Sequence, residues 1–201
     1  MFGGIVYRSI KEKTWKTLGI KKLEERDKFL LELLVDNRET FLPSETNTCS
    51  IDIGCGTGNL TTQISEEFNL KTIGIDLDKR FISNNKVDFL NASACLLPVK
   101  PKSLVCVFAF SLIEHINKNI RQIFLNEVKR ALVDDGTLVI QIPNRYFPIE
   151  QHSFLPFVGY LPSNLHRLFF YDYLSVPSKN ETVGELNRRG FKIVTIPPQY
   201  Y

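Results

Sequence analysis

No apolar run in this sequence is long enough to span a bilayer: the longest, Leu104 to Ile113, is about half of the roughly 20 residues a membrane-crossing helix needs. The opening MFGGIVYRSIKEK lacks the charged n-region and apolar h-region of a secretory signal, so no targeting segment is expected. Cysteine is sparse. Cys49, Cys55, Cys95 and Cys106 show no C-x-x-C or Cys/His spacing of the kind zinc requires, and no metal is expected. We read them as reduced, buried thiols of a cytoplasmic protein. A net charge of +3 is too small to mark a nucleic-acid surface without a clustered basic patch. Internal repeats and low-complexity tracts are absent.

What is present suits one core: 201 residues, 43% of them hydrophobic and 23% charged. Leu23, Phe29, Leu30, Leu33 and Leu34 group on one side of a helix over Lys22 to Val35. Pro43 to Thr48 is a loop leading into a strand at Cys49 to Ile53, and Leu60, Ile64 and Phe68 then recur at helical spacing. Further strands are expected at Thr72 to Ile75, Val87 to Leu90 and Leu104 to Ala109, with a short helix after Asp78. Ile116, Ile120, Ile123, Phe124, Val128 and Leu132 trace another helix face, after which Asp135-Gly136 turns the chain into a strand at Thr137 to Ile142. A helix at Glu181 to Arg189, closed by Gly190, feeds a strand at Phe191 to Ile196.

Strands alternating with helices imply an α/β fold with a doubly wound, mostly parallel sheet covered on both faces. One domain over 1–201 is expected. Its parts are a helical cap (1–43), a ligand-binding core (44–142), a substrate-facing insertion (143–180) and a last helix and strand (181–201). The insertion PNRYFPIEQHSFLPFVGYLP sets four prolines among aromatics, unlike another βα unit. It reads either as a lid at the carboxyl edge of the sheet or as a structural loop over the core.

Ser50 to Leu60, SIDIGCGTGNL, carries the sharpest signal. A strand-to-helix turn leaves unpaired N–H groups at the helix start, and glycines let a ligand approach that backbone. The dinucleotide pattern G-x-G-x-x-G would place its third glycine at Asn59. Here it comes one residue early, at Gly58, so the spacing is G-x-G-x-G after Asp52. About 20 residues on, Ile73-Gly74-Ile75-Asp76 ends the second strand, where an acid can accept from both hydroxyls of a ribose.

With Asp52, Gly54, Gly56 and Gly58 in this arrangement, the sequence resembles the class I S-adenosylmethionine-dependent methyltransferases, in particular their small-molecule branch. The resemblance runs roughly from Asp36 to Phe191. It implies S-adenosylmethionine as cofactor, with the Gly54-Cys55-Gly56 loop under its methionine part and Asp52 holding the loop and the amino group. Asp76 would take the ribose, and Leu77 would lie against the adenine. Ser93-Ala94-Cys95-Leu96-Leu97-Pro98-Val99 matches the family's D-A-E-x-L-P-F in part, with Ser93 where an aspartate usually faces the adenine amino group. Ala94 beside it and Phe110 at the end of the fourth strand complete the expected cofactor contacts. Ile113-Glu114-His115 resembles the family's L-E-H, and Ile142-Pro143-Asn144 its segment after the fifth strand. Members of the family usually add a final antiparallel strand. The chain stops at Tyr201, so that strand is expected to be truncated or absent.

Methyl transfer needs its reactants held in line, and alignment alone can supply effective molarities on the order of 10⁵ to 10⁸ M. An oxygen acceptor gains from a general base, worth about 10² to 10⁴-fold. His115, just beyond the fourth strand, is the first candidate, as base or as an orienting or packing histidine. Glu150 and His152 in the insertion are further candidates, or pin that loop. Tyr146, Phe147, Phe154 and Phe157 either line an apolar acceptor pocket or form local core. The stretch Phe110-Ser111-Leu112-Ile113 lacks the Asn/Asp-Pro-Pro-aromatic motif of base amino-methyltransferases, and no Pro-Cys nucleophile for cytosine occurs, so DNA is not an expected partner. The expected activity is methyl transfer to a small molecule, lipid precursor or saccharide, at oxygen. The rivals are a nicotinamide-dependent oxidoreductase and a non-catalytic cofactor-binding partner protein.

Overall fold

The computed structural model describes residues 23–42, 49–78, 87–142, 160 and 176–194. Two helices, α1 (Leu23–Asp36) and α2 (Arg38–Phe41), precede strand β1 (Cys49–Ile53). Every residue of β1 from Ser50 onward is buried, because the strand lies at the centre of the sheet with helices over both faces. Helix α3 (Asn59–Phe68) crosses over to β2 (Lys71–Asp76), and β3 (Phe89–Asn91) lies outside it. The chain then returns to the far side of β1 through β4 (Leu104–Phe110), and helix α4 (Arg121–Ala131) leads to β5 (Leu132–Gln141). The order is β3-β2-β1-β4-β5, and every pairing is parallel. Since the order reverses between β1 and β4, the carboxyl ends of those two strands form the switch point at which sheets of this kind place their ligands.

Alternation along β4 divides its side chains between two cores. Val107 and Ala109 join Ile51, Ile53 and Ile75 against Phe124, Leu125 and Val128 of α4. Cys106, Phe108 and Phe110 pack on the other face with Leu30 and Leu34 of α1 and Leu60, Ile64 and Phe68 of α3. Phe41 of α2 meets Phe68 and Phe108 edge to face, with ring centroids 5.6 and 6.0 Å away, which ties the helical cap to the sheet. Polar groups on β1 are satisfied internally: the Ser50 and Thr72 hydroxyls lie 2.8 Å apart across the ladder.

Several boundaries differ from the sequence expectation. The helix expected to carry Ile116 begins only at Arg121, because the Asn117 side chain accepts from Asn119 N and holds the preceding residues in a turn. Ile120 and Ile123 are consequently exposed, and Leu132 opens the next strand. Asp135-Gly136 is not a turn before β5. It sits inside β5 where the register slips: Leu104 pairs with Leu132, but Cys106 pairs with Thr137, so residues 133–136 stand opposite Val105 alone and bulge. The third strand falls at Phe89–Asn91 rather than at Val87 to Leu90. Helix α5 (Lys179–Asn187) starts earlier than expected, at a capping box in which Ser178 and Glu181 satisfy each other's backbone N–H. Phe191 to Val194 form no ladder. Gly190 turns with φ +74°, Phe191 N reaches back to Leu186 O at 3.2 Å, and its ring lies under the Lys129 ammonium at 4.9 Å. Of the four free thiols only Cys106 is buried; the other three are half-buried. The expected insertion, apart from Tyr160 and the approach to α5, and most of the short helix after Asp78 lie outside the described residues.

Candidate functional site

The turn from β1 to α3 is stitched to β2. Gly54 N and Cys55 N both donate to Ile75 O, at 2.7 and 3.2 Å. Gly54, Gly56 and Gly58 take φ of +78°, +55° and +76°, the left-handed region in which a side chain is strained. The Asp76 carboxylate closes the loop from the neighbouring strand: Oδ2 accepts from Gly56 N and Oδ1 from Asp78 N, each at 2.9 Å. Asp52 points inward and is 3% exposed, accepting from Thr61 Oγ1 at 2.6 Å. Burial raises its pKa to about 6, although the Thr61 bond favours the charged form. The same burial, with Asp52 and Asp76 nearby, pushes the Cys55 thiol up to about 12, which leaves it inert.

Two residues that the sequence reading did not single out hold this edge in place. Asn91 Nδ2 donates to the carbonyls of Asp76 and Leu77, at 3.0 and 2.8 Å, fixing the end of β2. Gln141 Oε1, at the end of β5, accepts from both N and Oγ of Ser111, and so anchors the exit from β4. Neither belongs to a motif, so no local signal marks them. Gly74 lies within Ile-Gly-Ile-Asp, and a Cβ there would stand 2.8 Å from Cys55 Sγ. Cys55 packs over β2 because that position has no side chain.

The other expected contacts surround the same edge. Leu77 is 73% exposed and available to a flat ligand. Ser93 and Ala94 are half-buried, and Ser93 Oγ accepts from Cys95 N at 3.2 Å. The segment that follows them is clamped by α4, where Arg130 donates to the Leu97 and Val99 carbonyls and Glu127 accepts from Leu97 N. Phe110 sits differently. Its ring is 8% exposed and stacked on Phe108 at 5.9 Å, so only its backbone remains for a cofactor. His115 is exposed at the end of a 3₁₀ turn, Ile113–His115, while its neighbour Glu114 is fully buried. Glu150 and His152 lie outside the described residues, as do Tyr146, Phe147, Phe154 and Phe157. Among the described residues no group of three or more His, Cys, Asp or Glu is placed to hold a metal ion.

These residues fit an adenosyl group. A Cβ added at Gly56 meets no atom within 4 Å, so the loop faces open space, and the Asp76 carboxylate stands beside it. Strand order, glycine loop and acid together define a doubly wound domain of the nucleoside-binding kind. Residues 51–140 match the family model of the methyltransferase domain. No curated protein matches the sequence. Solved structures similar to the chain include a methyltransferase from Archaeoglobus fulgidus described as SAM-dependent, at 18% identity and TM-score 0.61, covering 83% of this chain and 69% of that one. A Thermotoga maritima protein described as a possible histamine N-methyltransferase has 22% identity and TM-score 0.60, covering 94% and 80%. Phosphoethanolamine N-methyltransferase 2 of Haemonchus contortus, solved with S-adenosyl-L-methionine, has 19% identity and TM-score 0.59 over 80% of this chain. The chain spans only 36% of that enzyme's length. At these identities the likeness is one of fold. The chain is thus similar in fold to S-adenosylmethionine-dependent methyltransferases, and its match to the methyltransferase domain spans residues 51–140.

Proposed function

We propose that this protein is a cytoplasmic enzyme that methylates a small molecule, lipid precursor or saccharide at oxygen, using S-adenosylmethionine. The observation that carries the cofactor reading is the Asp76 carboxylate, already bonded to Gly56 N across the mouth of the glycine loop. When bound, S-adenosylmethionine supplies an electrophilic sulfonium methyl group. Asp76 would hold the ribose, Asp52 and the Gly54-Cys55-Gly56 loop the methionine part, and Leu77, Ser93 and Ala94 the adenine. Phe110 would contribute its backbone. Support for an oxygen acceptor comes from His115, which is exposed just beyond the carboxyl end of β4. A hydroxyl gives up its proton as it is methylated, and His115 is the base in reach of that edge. Glu150 and His152 are the acceptor-side residues of this reading. The division into a cap (1–43), core (44–142), acceptor-facing insertion (143–180) and closing segment (181–201) follows from it. Free thiols and the absence of a long apolar helix among the described residues accord with a cytoplasmic location.

Calorimetric titration with S-adenosylmethionine, S-adenosylhomocysteine and NAD in parallel tests the cofactor. The first two should bind and NAD should not; NAD binding alone would overturn the reading. An acceptor screen then sets hydroxyl compounds against amines, since two of the similar structures are named for nitrogen acceptors. Methylation confined to amines would refute the oxygen assignment.

A further inference from the structure

Glu114 is the most anomalous polar residue in the described structure. It is 0% exposed, and neither Oε1 nor Oε2 has a hydrogen-bond partner. An ionised carboxylate without a donor is costly to bury, and a group in that position binds a proton instead. Charged neighbours do not alter this. Arg121 of α4, 2% exposed, spends its Nε on the Ile113 carbonyl at 3.1 Å and faces Glu181 and Glu185 of α5 as well as Glu114. Arg26 of α1 acts on Glu114 only through space, and its guanidinium is bonded to Asp27. His115, the next residue, is turned to the exterior. Burial accordingly raises the Glu114 pKa to about 7, against the partial relief given first by its own backbone N–H and then by these cations.

The short turn that carries Glu114 also touches the glycine loop. It follows Ser111, which sits at φ +49° and is held by Gln141. Leu112, next in line, packs so closely on Gly54 that a Cβ there would lie 3.0 Å from Leu112 Cδ1. His115 N closes the turn on Leu112 O at 2.9 Å. Ile113, buried at 1% exposure, and Glu114 are therefore the inward anchors of a turn whose outer surface supports the cofactor loop.

We infer that Glu114 is a positioning residue that works as a neutral acid: its proton keeps the turn after β4 seated against the glycine loop, and its ionisation unseats the turn and weakens cofactor binding. The inference deepens the methyltransferase reading and rests on it for the ligand. If the ionised form does not bind, apparent affinity scales with the protonated fraction, so the dissociation constant rises roughly tenfold from pH 6 to pH 8.

The test is calorimetric titration of S-adenosylhomocysteine into wild type and Glu114→Gln at pH 6, 7 and 8, beside thermal unfolding without ligand at pH 5 to 8. Asp52 and the ligand's own amino group titrate alike in both proteins, so the difference between them isolates Glu114. The expected result is a roughly tenfold loss in wild type beyond any loss in Glu114→Gln. In the unfolding arm, Glu114→Gln should gain on wild type as pH rises from 5 to 8. Identical pH profiles of binding would overturn the coupling, and parallel unfolding curves would show that the site holds no raised proton. Failure of wild type to bind at pH 6 would overturn the cofactor reading and the coupling together, while the unfolding arm still decides whether Glu114 is buried neutral. If Glu114→Gln does not fold, Glu114→Leu serves in the same two arms, and a pH dependence like that of wild type refutes the inference.

Discussion

Gly74→Ala would press directly on the glycine loop from below. The added Cβ would stand 2.8 Å from Cys55 Sγ and 3.4 Å from Cys55 Cβ, whereas non-bonded heavy atoms settle at roughly 3.5 to 4.0 Å. The strand cannot drop away easily, because Gly74 N donates to Asp88 O at 2.9 Å and Gly74 pairs with Asp52 in the ladder. Cys55 must therefore move, and its backbone N is bonded to Ile75 O, so the displacement reaches Gly54 and Gly56. Overpacking by one methyl group costs about 1 to 3 kcal/mol. For a chain of this size that lowers the melting temperature by roughly 2 to 4 °C per kcal/mol. The same shift should weaken S-adenosylhomocysteine binding. Cys55→Ala removes the obstructing sulfur, so the double variant should be more stable than the sum of the single effects predicts, by about 1 kcal/mol or more. Urea unfolding of the four proteins measures that coupling. Additivity within about 0.5 kcal/mol would refute the claim that Cys55 and Gly74 are packed as a pair.

Asp76→Ala removes the acceptor of the Gly56 and Asp78 N–H groups and of the proposed ribose bonds, and should weaken cofactor affinity by about 1 to 3 kcal/mol. Unchanged affinity by calorimetry removes Asp76 from the site. His115→Ala, at an exposed position, should leave stability within about 0.5 kcal/mol but lower turnover by roughly 10² or more if the imidazole is the base. Wild-type turnover on the true acceptor assigns His115 to structure. Asp52→Asn should flatten part of the pH dependence of stability. The Asp52 pKa is raised from 3.8 to about 6, so its proton is held more tightly in the folded chain. That contribution is complete below about 3.8 and is lost as pH rises through about 6, a fall on the order of 3 kcal/mol. Denaturation at pH 4 and 7 should show a smaller difference in the variant, and equal differences refute the assignment.

The sheet was legible because strand periodicity and glycine spacing are local. Cys49 to Ile53, the G-x-G-x-G loop and Asp76 could be placed from the sequence because each rests on a few adjacent residues. Features that depend on long-range partners were not legible. Asn91 and Gln141 reach carbonyls and hydroxyls on other strands, and the β5 bulge lies where its register on β4 shifts between Leu104 and Cys106. The helix phase after β4 is hidden for a similar reason: Ile120 and Ile123 are apolar yet exposed, while Arg121 is charged yet buried on the Ile113 carbonyl. In the 3₁₀ turn successive side chains point about a third of a turn apart, so of two adjacent polar residues Glu114 is buried and His115 is not. The residue pair was visible in the sequence, but which of the two faces inward is decided by the packing of the turn.

In the proposed site one acid would serve the loop and a ligand together. An ionised carboxylate offers about four lone-pair positions, two on each oxygen. Asp76 commits one per oxygen to the protein, Oδ2 to Gly56 N and Oδ1 to Asp78 N, and each oxygen keeps another. In the proposed complex two ribose hydroxyls would bind without breaking either bond, so the conformation that holds the loop would also be the one that receives the ligand. Preorganisation of this kind spares binding the cost of ordering the loop. Gly54 N on Ile75 O at 2.7 Å and Asn91 on the Asp76 carbonyl act in the same direction, since both fix the backbone from which Asp76 projects. Loss of the Asp76 carboxylate should therefore register twice, as missing ribose bonds and as a loop that must be ordered on binding, whereas loss of Leu77, exposed and unattached to the loop's hydrogen bonds, should register only through its contact with the ligand.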